Sequence, residues 1–208
     1  MGSDTNFLLK RSQDEGRPKL VSDPIFTGDL QERARQVRLL TCDVDGVLTD
    51  GRVYVDDDGR ESKAFSALDG VGIHMLADAG IIVAWITGSS APAVAHRARQ
   101  LGVPHVIQNA SDKLAAWRGL TGQLRLAPVQ CAHIGDDLPD ATLLAACGLA
   151  ATVPHAPASV RTLAHYVTAR DGGFGAVREL AELILTAQGR LQDAAASAAL
   201  SASTSSQR

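Results

Sequence analysis

Short apolar runs alternate with helical patterns along most of the chain, and this alternation limits the possible folds more than any other feature. The strand candidates are Arg38–Cys42, Ile81–Ile86, His105–Ile107, Gln130–Ile134, Leu149–Thr152 and Tyr166–Thr168. The helical patterns are Gly70–Ala79, Ala91–Leu101, Asp112–Gly119, Pro139–Cys147, Pro157–Ala164 and Gly175–Gln188. Because each helical crossover returns the chain to the same edge of a sheet, the alternation predicts an α/β fold with a Rossmann-like, doubly wound parallel sheet.

One segment directly after the first strand candidate interrupts the alternation. Arg52–Asp56 and Arg60–Phe65 have strand patterns and are joined by a turn that contains Asp58 and Gly59. We therefore expect a β-hairpin that projects from the sheet. The acidic residues at its tip lack the spacing of a calcium-binding loop, so we expect them to be solvated.

The two ends of the chain differ in composition from its middle. Residues 1–23 are polar and without a sustained period, which predicts a flexible leader. Residues 24–190 are expected to form one domain, which opens with a helix within Ile25–Arg38. Residues 191–208 are rich in Ala and Ser, and we expect a flexible tail in which a helix end frays into disorder.

Charge and hydropathy exclude several classes of function. The chain has 20 basic and 23 acidic residues, for a net charge of −3, and lacks a basic run, so nucleic acid and anionic membranes are not expected partners. It contains neither an apolar stretch of transmembrane length nor the apolar core of a secretory signal, and a cytoplasmic protein that binds small molecules is the default expectation. The cysteines Cys42, Cys131 and Cys147 form no C-x-x-C pair and are expected to be buried, reduced thiols.

Acidic and hydroxyl side chains follow the strands at the sheet edge where open α/β folds bind ligands. They are Asp43 and Asp45 after the first strand, Thr87 after Ile86, and Asp136 and Asp137 after Ile134. Lys113 adds a cation at the start of a helix. No H-E-x-x-H motif occurs among the histidines, which disfavours a zinc hydrolase.

Four stretches in this order resemble the motifs of the haloacid dehalogenase-like phosphohydrolases. They are the DVDGVLTD stretch, Thr87 with Gly88, Lys113, and the GDDLPD stretch. Their spacing suits a member without a large cap domain. The stretches DGVLTDGRVYVDDDGRESKAF, LDGVGI and GGFGAVREL further resemble the 3-deoxy-D-manno-octulosonate 8-phosphate phosphatases, over about residues 25–190.

The resemblance implies a Mg²⁺-dependent phosphomonoesterase that uses paired carboxylates. It makes Asp43 the nucleophile that forms an aspartyl-phosphate and Asp45 the general acid and base, while Thr87 and Lys113 hold the phosphoryl oxygens. It also implies a hard cation that offsets the crowded negative charge. The implied ligands are Asp43, the backbone carbonyl of Asp45, Asp136, and Asp137 directly or through water, with Asp140 orienting Lys113 or the metal waters.

Several further residues are expected to contact a phosphorylated sugar acid. Peptide N–H groups after Asp43, including that of Gly46, would complete the phosphate cradle, and Gly88 and Ser89 lie beside it. His74 has two possible roles, substrate contact or an ordinary position on a helix face. His133 is expected to be a hydrogen-bonded core residue.

The resembling family forms tetramers in which four hairpins pack together and the C-terminal segment of one subunit covers the neighbouring site. The resemblance therefore implies a homotetramer in which Gly172–Gly175 and Arg178 reach across an interface. A simple turn and a surface arginine remain the alternative interpretation of these residues.

The sequence departs from the resembling family at two places that bear on substrate. Those phosphatases usually carry basic residues where this chain has Leu68 and Ser89, and an uncharged side chain cannot bind a sugar carboxylate as arginine does. Asn109 also stands where glycine is usual. A phosphatase for another sugar phosphate is therefore an alternative, as are a phospho-aspartate signalling domain and a non-catalytic tetrameric scaffold.

Overall fold

The computed structural model describes the chain from residue 28 to residue 205. The predicted leader, residues 1–23, lies outside the described residues, as do residues 25–27 of the segment predicted to contain the first helix. The strands are β1 Leu39–Cys42, β2 Tyr54–Val55, β3 Glu61–Ser62, β4 Ile82–Ile86, β5 His105–Ile107, β6 Cys131–Ile134, β7 Leu149–Thr152 and β8 Tyr166–Val167. The helices are α1 Gly28–Gln36, α2 Ala67–Asp78, α3 Pro92–Gln100, α4 Lys113–Leu124, α5 Ala141–Leu144, α6 Ala158–Arg161, α7 Ala176–Ala187 and α8 Leu191–Ser205.

Six of the strands form one parallel sheet in the order β5-β4-β1-β6-β7-β8. All residues of β1, β6 and β7 are buried, which is what a strand covered by helices on both faces requires. The chain builds one half of the sheet outward from β1 and then crosses to β6 on its other side. The carboxyl end of β1 therefore lies at the switch point, where doubly wound sheets bind ligands. The predicted fold class is confirmed.

The hairpin is present but shorter than its sequence pattern suggests. Strands β2 and β3 pair antiparallel over two residues each and are separate from the main sheet. Their residues are exposed, so no packing against a core extends the pairing to Arg52 or Phe65. The turn has Gly59 at φ +77°, in the left-handed region that glycine adopts without strain.

The other boundaries differ from the sequence prediction in ways that local contacts explain. Helix α2 starts at Ala67, because the Ser66 hydroxyl accepts hydrogen bonds from the N–H groups of Leu68 and Asp69. The helix predicted at Pro139–Cys147 is split into a 3₁₀ turn, Leu138–Asp140, followed by α5. The three cysteines are buried and free, as predicted.

The segment predicted as a flexible tail with a fraying helix end contains helix α8. Its Ala194 is buried, and the Ser197 hydroxyl donates a hydrogen bond of 2.7 Å to Asp78 at the end of α2. The helix therefore continues the layer formed by α2 and α7. Within residues 28–205, the helices are too short or too polar to cross a lipid bilayer.

Asp69 connects α2 to the beginning of α7. The Asp69 carboxylate is 1% exposed and accepts a 2.9 Å hydrogen bond from the backbone N–H of Arg178. Burial raises the pKa of Asp69, although the backbone N–H groups of Arg178, Gly175 and Val177 lower it. Since Gly175 has no side chain to cap α7, Asp69 takes the place of an N-cap residue.

Replacing Asp69 should destabilise the fold. We expect Asp69→Ala to lower the free energy of unfolding by about 2 kcal/mol, because it leaves buried N–H groups at the start of α7 unpaired. Asp69→Asn keeps an acceptor oxygen and should lower the free energy of unfolding by less. Chemical denaturation measures both, and Asp57→Ala, at the exposed tip of the hairpin, is the control. Equal losses at Asp69 and Asp57 would contradict the capping role.

Candidate active site

A buried lysine lies between two carboxylates at the carboxyl end of β1. Lys113, the first residue of α4, places Nζ 2.8 Å from an oxygen of Asp43 and 2.8 Å from an oxygen of Asp140. The side chains of these three residues are at most 8% exposed. Burial alone would lower the pKa of Lys113, but the charges of Asp43 and Asp140 raise it, so the ammonium stays charged.

Asp136, after β6, adds a third carboxylate to this group. Asp43, Asp136 and Asp140 each offer an oxygen, and these oxygens lie within 4.8 Å of one another. Burial, followed by the charge of Asp140, raises the pKa of Asp43. Burial together with the charges of Asp43 and Asp140 raises the pKa of Asp136 to about 8. Three carboxylates face one ammonium, so the chemistry of this donor set fits a hard divalent cation such as Mg²⁺.

Asp140 is held by two side chains that contact the same carboxylate oxygen, Oδ1. In addition to Lys113, it contacts His133, whose Nε2 lies 3.1 Å away. Burial alone would raise the pKa of Asp140, but His133 and Lys113 lower it. His133 is fully buried, and its Nδ1 lies 3.0 Å from the Thr41 hydroxyl, which confirms the predicted hydrogen-bonded core histidine. The predicted role of Asp140 in orienting Lys113 agrees with this geometry.

The structure places Asp140, rather than Asp137, with the other two carboxylates. The Asp137 side chain is exposed and accepts a 2.7 Å hydrogen bond from the N–H of Leu138, which caps the 3₁₀ turn. Asp140, the last residue of that turn, is buried and accepts a 2.8 Å hydrogen bond from Lys113. The role of Asp137 as a metal ligand, directly or through water, stays a prediction, and the three carboxylates that the structure brings together are those of Asp43, Asp136 and Asp140.

The turn after Asp43 brings backbone close to Asp136. Gly46 has φ +90°, and a Cβ at this position would lie 2.0 Å from Asp136 Oδ2. The N–H of Gly46 donates to the Thr49 hydroxyl at 3.3 Å. On the other side, the N–H of Gly173 donates to the Val47 carbonyl at 2.9 Å. The glycine segment predicted to reach across an interface thus packs against the loop of its own chain.

Asp45 is paired with a lysine that the sequence analysis did not single out. Lys63 Nζ lies 2.5 Å from Asp45 Oδ1 and 2.7 Å from Glu61, and its side chain is 4% exposed. Burial alone would lower the pKa of Lys63, but hydrogen bonds to Asp45 and Glu61 raise it. The basic residue in the ESKAF stretch was the available sequence signal, but 18 residues separate it from Asp45.

Thr87 lies on the same edge of the sheet, after the strand that pairs with β1. Its side chain is buried, and its hydroxyl accepts a 3.0 Å hydrogen bond from the N–H of Ser89. The Ser89 hydroxyl in turn accepts a hydrogen bond from the N–H of Ala91, just before α3. Gly88, between Thr87 and Ser89, is exposed. Asn109, in the facing loop, has φ +56°, a conformation that asparagine tolerates better than most residues.

Two of the residues predicted to contact substrate make no contact with the buried group of Asp43, Lys113, Asp136 and Asp140. The side chain of His74 is exposed on α2 and makes no hydrogen bond or ion pair with the side chains and backbone of residues 28–198. Arg178 on α7 donates from Nε to Glu182 at 2.6 Å, and its stem packs against Gly72 of α2. Within one chain, both residues belong to the helical layer rather than to the carboxylate group.

Comparison with known proteins identifies similar phosphatases. The 3-deoxy-D-manno-octulosonate 8-phosphate phosphatase of Yersinia pestis is 47% identical over 166 residues, which cover 80% of this chain and 89% of that protein. The phosphatase of the same name from Escherichia coli is 43% identical over 168 residues, which cover 81% of this chain and 89% of that protein. No protein-family model matches the chain.

A solved structure of similar fold supports this comparison. It is the 3-deoxy-D-manno-octulosonate 8-phosphate phosphatase of Moraxella catarrhalis, in complex with a magnesium ion, a phosphate ion and the sugar acid. It matches with a TM-score of 0.81 and 41% identity, covering 83% of this chain and 99% of that one.

Proposed function

Because the chain belongs to the family of 3-deoxy-D-manno-octulosonate 8-phosphate phosphatases and is a phosphoric monoester hydrolase, we propose that it hydrolyses this phosphate ester to the sugar acid and phosphate. The observation that carries the proposal is the buried group of Asp43, Lys113, Asp136 and Asp140 at the switch point of the sheet. The family relation also supports a place in lipopolysaccharide precursor synthesis.

The proposed reaction has two phosphoryl transfers. An oxygen of Asp43 attacks phosphorus in line, the bond from phosphorus to the sugar oxygen breaks, and Asp45 gives its proton to that oxygen. Asp45 then takes a proton from water, whose oxygen attacks the aspartyl-phosphate and releases phosphate from Asp43. Lys113 and the Thr87 hydroxyl stabilise the charge on the equatorial oxygens.

Asp43, Asp136 and Asp140 would hold Mg²⁺ in this site. When bound, the ion offsets the negative charge of the carboxylates and of the transferring phosphoryl group. The positive charge of Lys113 already offsets one of the carboxylate charges, and the ion would offset the remaining negative charge of the group. We propose no metal role for the side chain of Asp45, which pairs with Lys63 instead.

Mg²⁺ affinity should depend on pH, because the pKa of Asp136 is raised to about 8 by burial and by its acidic neighbours. The proton must leave before the carboxylate can bind the ion. At pH values below 8, we expect the affinity for Mg²⁺ to increase by up to about tenfold for each unit by which the pH is raised. About one proton should be released for each ion bound. Calorimetry in two buffers of different ionisation enthalpy measures both. Asp136→Asn should abolish the proton release, and pH-independent binding would contradict the expectation.

The substrate is tested by phosphate release from 3-deoxy-D-manno-octulosonate 8-phosphate beside a panel of other sugar phosphates, with Mg²⁺ and with EDTA. Preference for the octulosonate in the presence of Mg²⁺ supports the proposal. Leu68, 47% exposed, has Cδ1 3.5 Å from the place that a Cβ on Gly175 would take, and it is apolar where the resembling phosphatases usually carry a basic residue. Leu68 therefore favours a different sugar phosphate as the second candidate substrate. If the enzyme prefers such a sugar phosphate, the proposed substrate is wrong but the proposed phosphatase mechanism still holds.

We also propose that the protein forms a homotetramer through its hairpin. Val53 and Val55 are 71% and 61% exposed in the single chain, and such apolar side chains are commonly covered in assemblies. Light scattering of the protein, beside a Val53→Asp, Val55→Asp variant, tests this. A monomeric wild-type protein would contradict it.

A further inference from the structure

We propose that Lys63 is the positioning residue for Asp45, holding the general acid and base in place through an ion pair that connects the hairpin to the loop after β1. This inference rests on the proposed function, because it assigns a partner to the carboxylate that protonates the leaving group. It concerns a residue that lies outside the buried group of Asp43, Lys113, Asp136 and Asp140.

The geometry of Lys63 differs from that of a surface lysine. Its side chain is 4% exposed, whereas Asp45 and Glu61 are 39% and 37% exposed. Nζ contacts both carboxylates, at 2.5 Å and 2.7 Å. A long side chain that is buried and fixed at both acidic partners has lost its rotamer freedom, so it can hold Asp45 in one orientation.

The two oxygens of Asp45 have different surroundings. Oδ1 accepts the hydrogen bond from Lys63, whereas residues 28–205 donate no hydrogen bond to Oδ2. Oδ2 is therefore the oxygen free to give a proton to the leaving group and to take one from water. Lys63 therefore fixes which oxygen of Asp45 is free, and the Asp45 side chain is 39% exposed, so it remains accessible to substrate.

The hairpin has a second connection to the same loop, which supports its role as a fixed platform. The Tyr54 hydroxyl of β2 donates to Asp50 at 2.7 Å, and the Arg52 N–H donates to the same carboxylate at 3.1 Å. Lys63 follows β3 directly, so both strands of the hairpin are joined to residues 45–50. A hairpin with so little strand pairing is held in place largely by these contacts.

The proposal predicts that loss of Lys63 affects substrates according to their leaving group. An alkyl phosphate such as a sugar phosphate requires protonation of the departing oxygen, whereas 4-nitrophenyl phosphate releases a weakly basic phenolate that does not. For Lys63→Met, we expect kcat/KM to fall about 10²-fold with the alkyl phosphate. With 4-nitrophenyl phosphate we expect a fall of less than about threefold. For the alkyl phosphate the loss should be in kcat rather than KM, since Nζ contacts protein carboxylates.

Matched variants separate positioning from a structural contribution. Lys63→Arg should recover much of the alkyl phosphatase activity, because a guanidinium can reach the same carboxylates. In an Asp45→Asn background, Lys63→Met should have little further effect on kcat/KM for the alkyl phosphate. Arg60→Met removes an exposed cation from the same hairpin, and it should leave kcat/KM unchanged for both substrates. Circular dichroism checks that each variant is folded, and Lys63→Gln, which keeps a donor, replaces Lys63→Met if that variant unfolds.

The outcomes distinguish this proposal from the proposed function. Equal losses with both substrates, or additive losses in the double variant, would show that Lys63 only stabilises the hairpin and would overturn the inference. If the wild-type protein prefers another sugar phosphate, the comparison is made with that ester and the inference is tested as before. A wild-type protein that hydrolyses neither type of ester would contradict the proposed function and the role of Lys63 together.

Discussion

Asp43→Asn should abolish phosphate release while leaving the fold intact. The amide cannot attack phosphorus, so we expect kcat to fall on the order of 10⁴-fold or more, to the level left by binding and charge stabilisation alone. The fold should survive because Lys113 retains Asp140 as its partner at 2.8 Å, and because the substitution removes one of the carboxylates that crowd the site. Steady-state phosphate release and thermal unfolding measure the two effects.

The control for this prediction is Asp57→Asn. Asp57 lies at the exposed tip of the hairpin, so the same chemical change there should leave the rate at the wild-type level. Acid quenching of the wild-type enzyme during turnover should in addition trap a phosphoryl group on the peptide that contains Asp43, and the Asn variant should trap none. Near-normal turnover by Asp43→Asn would contradict the covalent mechanism.

The centre of the sheet could be predicted from the sequence because β1, β6 and β7 are apolar runs buried on both faces. Strands β5 and β7 match the predicted ranges, although β5 lies half-buried at the edge of the sheet. The hairpin strands were predicted too long, because their alternation continues beyond the part that has a pairing partner. The extent of helix α8 could not be predicted, because its small residues show no wide apolar face and buried Ala194 needs only a narrow contact with the helical layer.

The site could be predicted where a residue's place follows from the end of a strand. Asp43, Asp136 and Thr87 lie at adjacent strand ends, and the parallel sheet brings such ends together. Which of two nearby acids turns inward could not be predicted, because Asp137 and Asp140 differ only through the path of one 3₁₀ turn. The ion pair of Lys63 depends on how the hairpin folds back over the loop, a tertiary contact that leaves no periodic signal.

Gly46→Ala should remove activity because the added methyl group displaces the Asp136 carboxylate. A Cβ at Gly46 would lie 2.0 Å from Oδ2 and 2.5 Å from Cγ of Asp136, so the carboxylate must move away from Asp43. Moving one side chain relieves the overlap at little cost in stability, but it takes one of the three carboxylates out of the group. We expect Mg²⁺ affinity to fall at least about 10²-fold. We expect kcat/KM to fall on the order of 10³-fold.

The matched control for Gly46→Ala is Gly80→Ala, because both glycines have a positive φ but only Gly46 has a side chain close to the place of a Cβ. Gly80 has φ +71°, and no atom lies within 4 Å of the place that a Cβ would take there, so alanine has only the cost of a left-handed backbone. That cost, about 1–2 kcal/mol, should lower the free energy of unfolding similarly in both variants. Only Gly46→Ala should lose Mg²⁺ binding, measured by calorimetry. Equal activity in the two variants would show that Asp136 does not need its present position, and the three-carboxylate site would have to be abandoned.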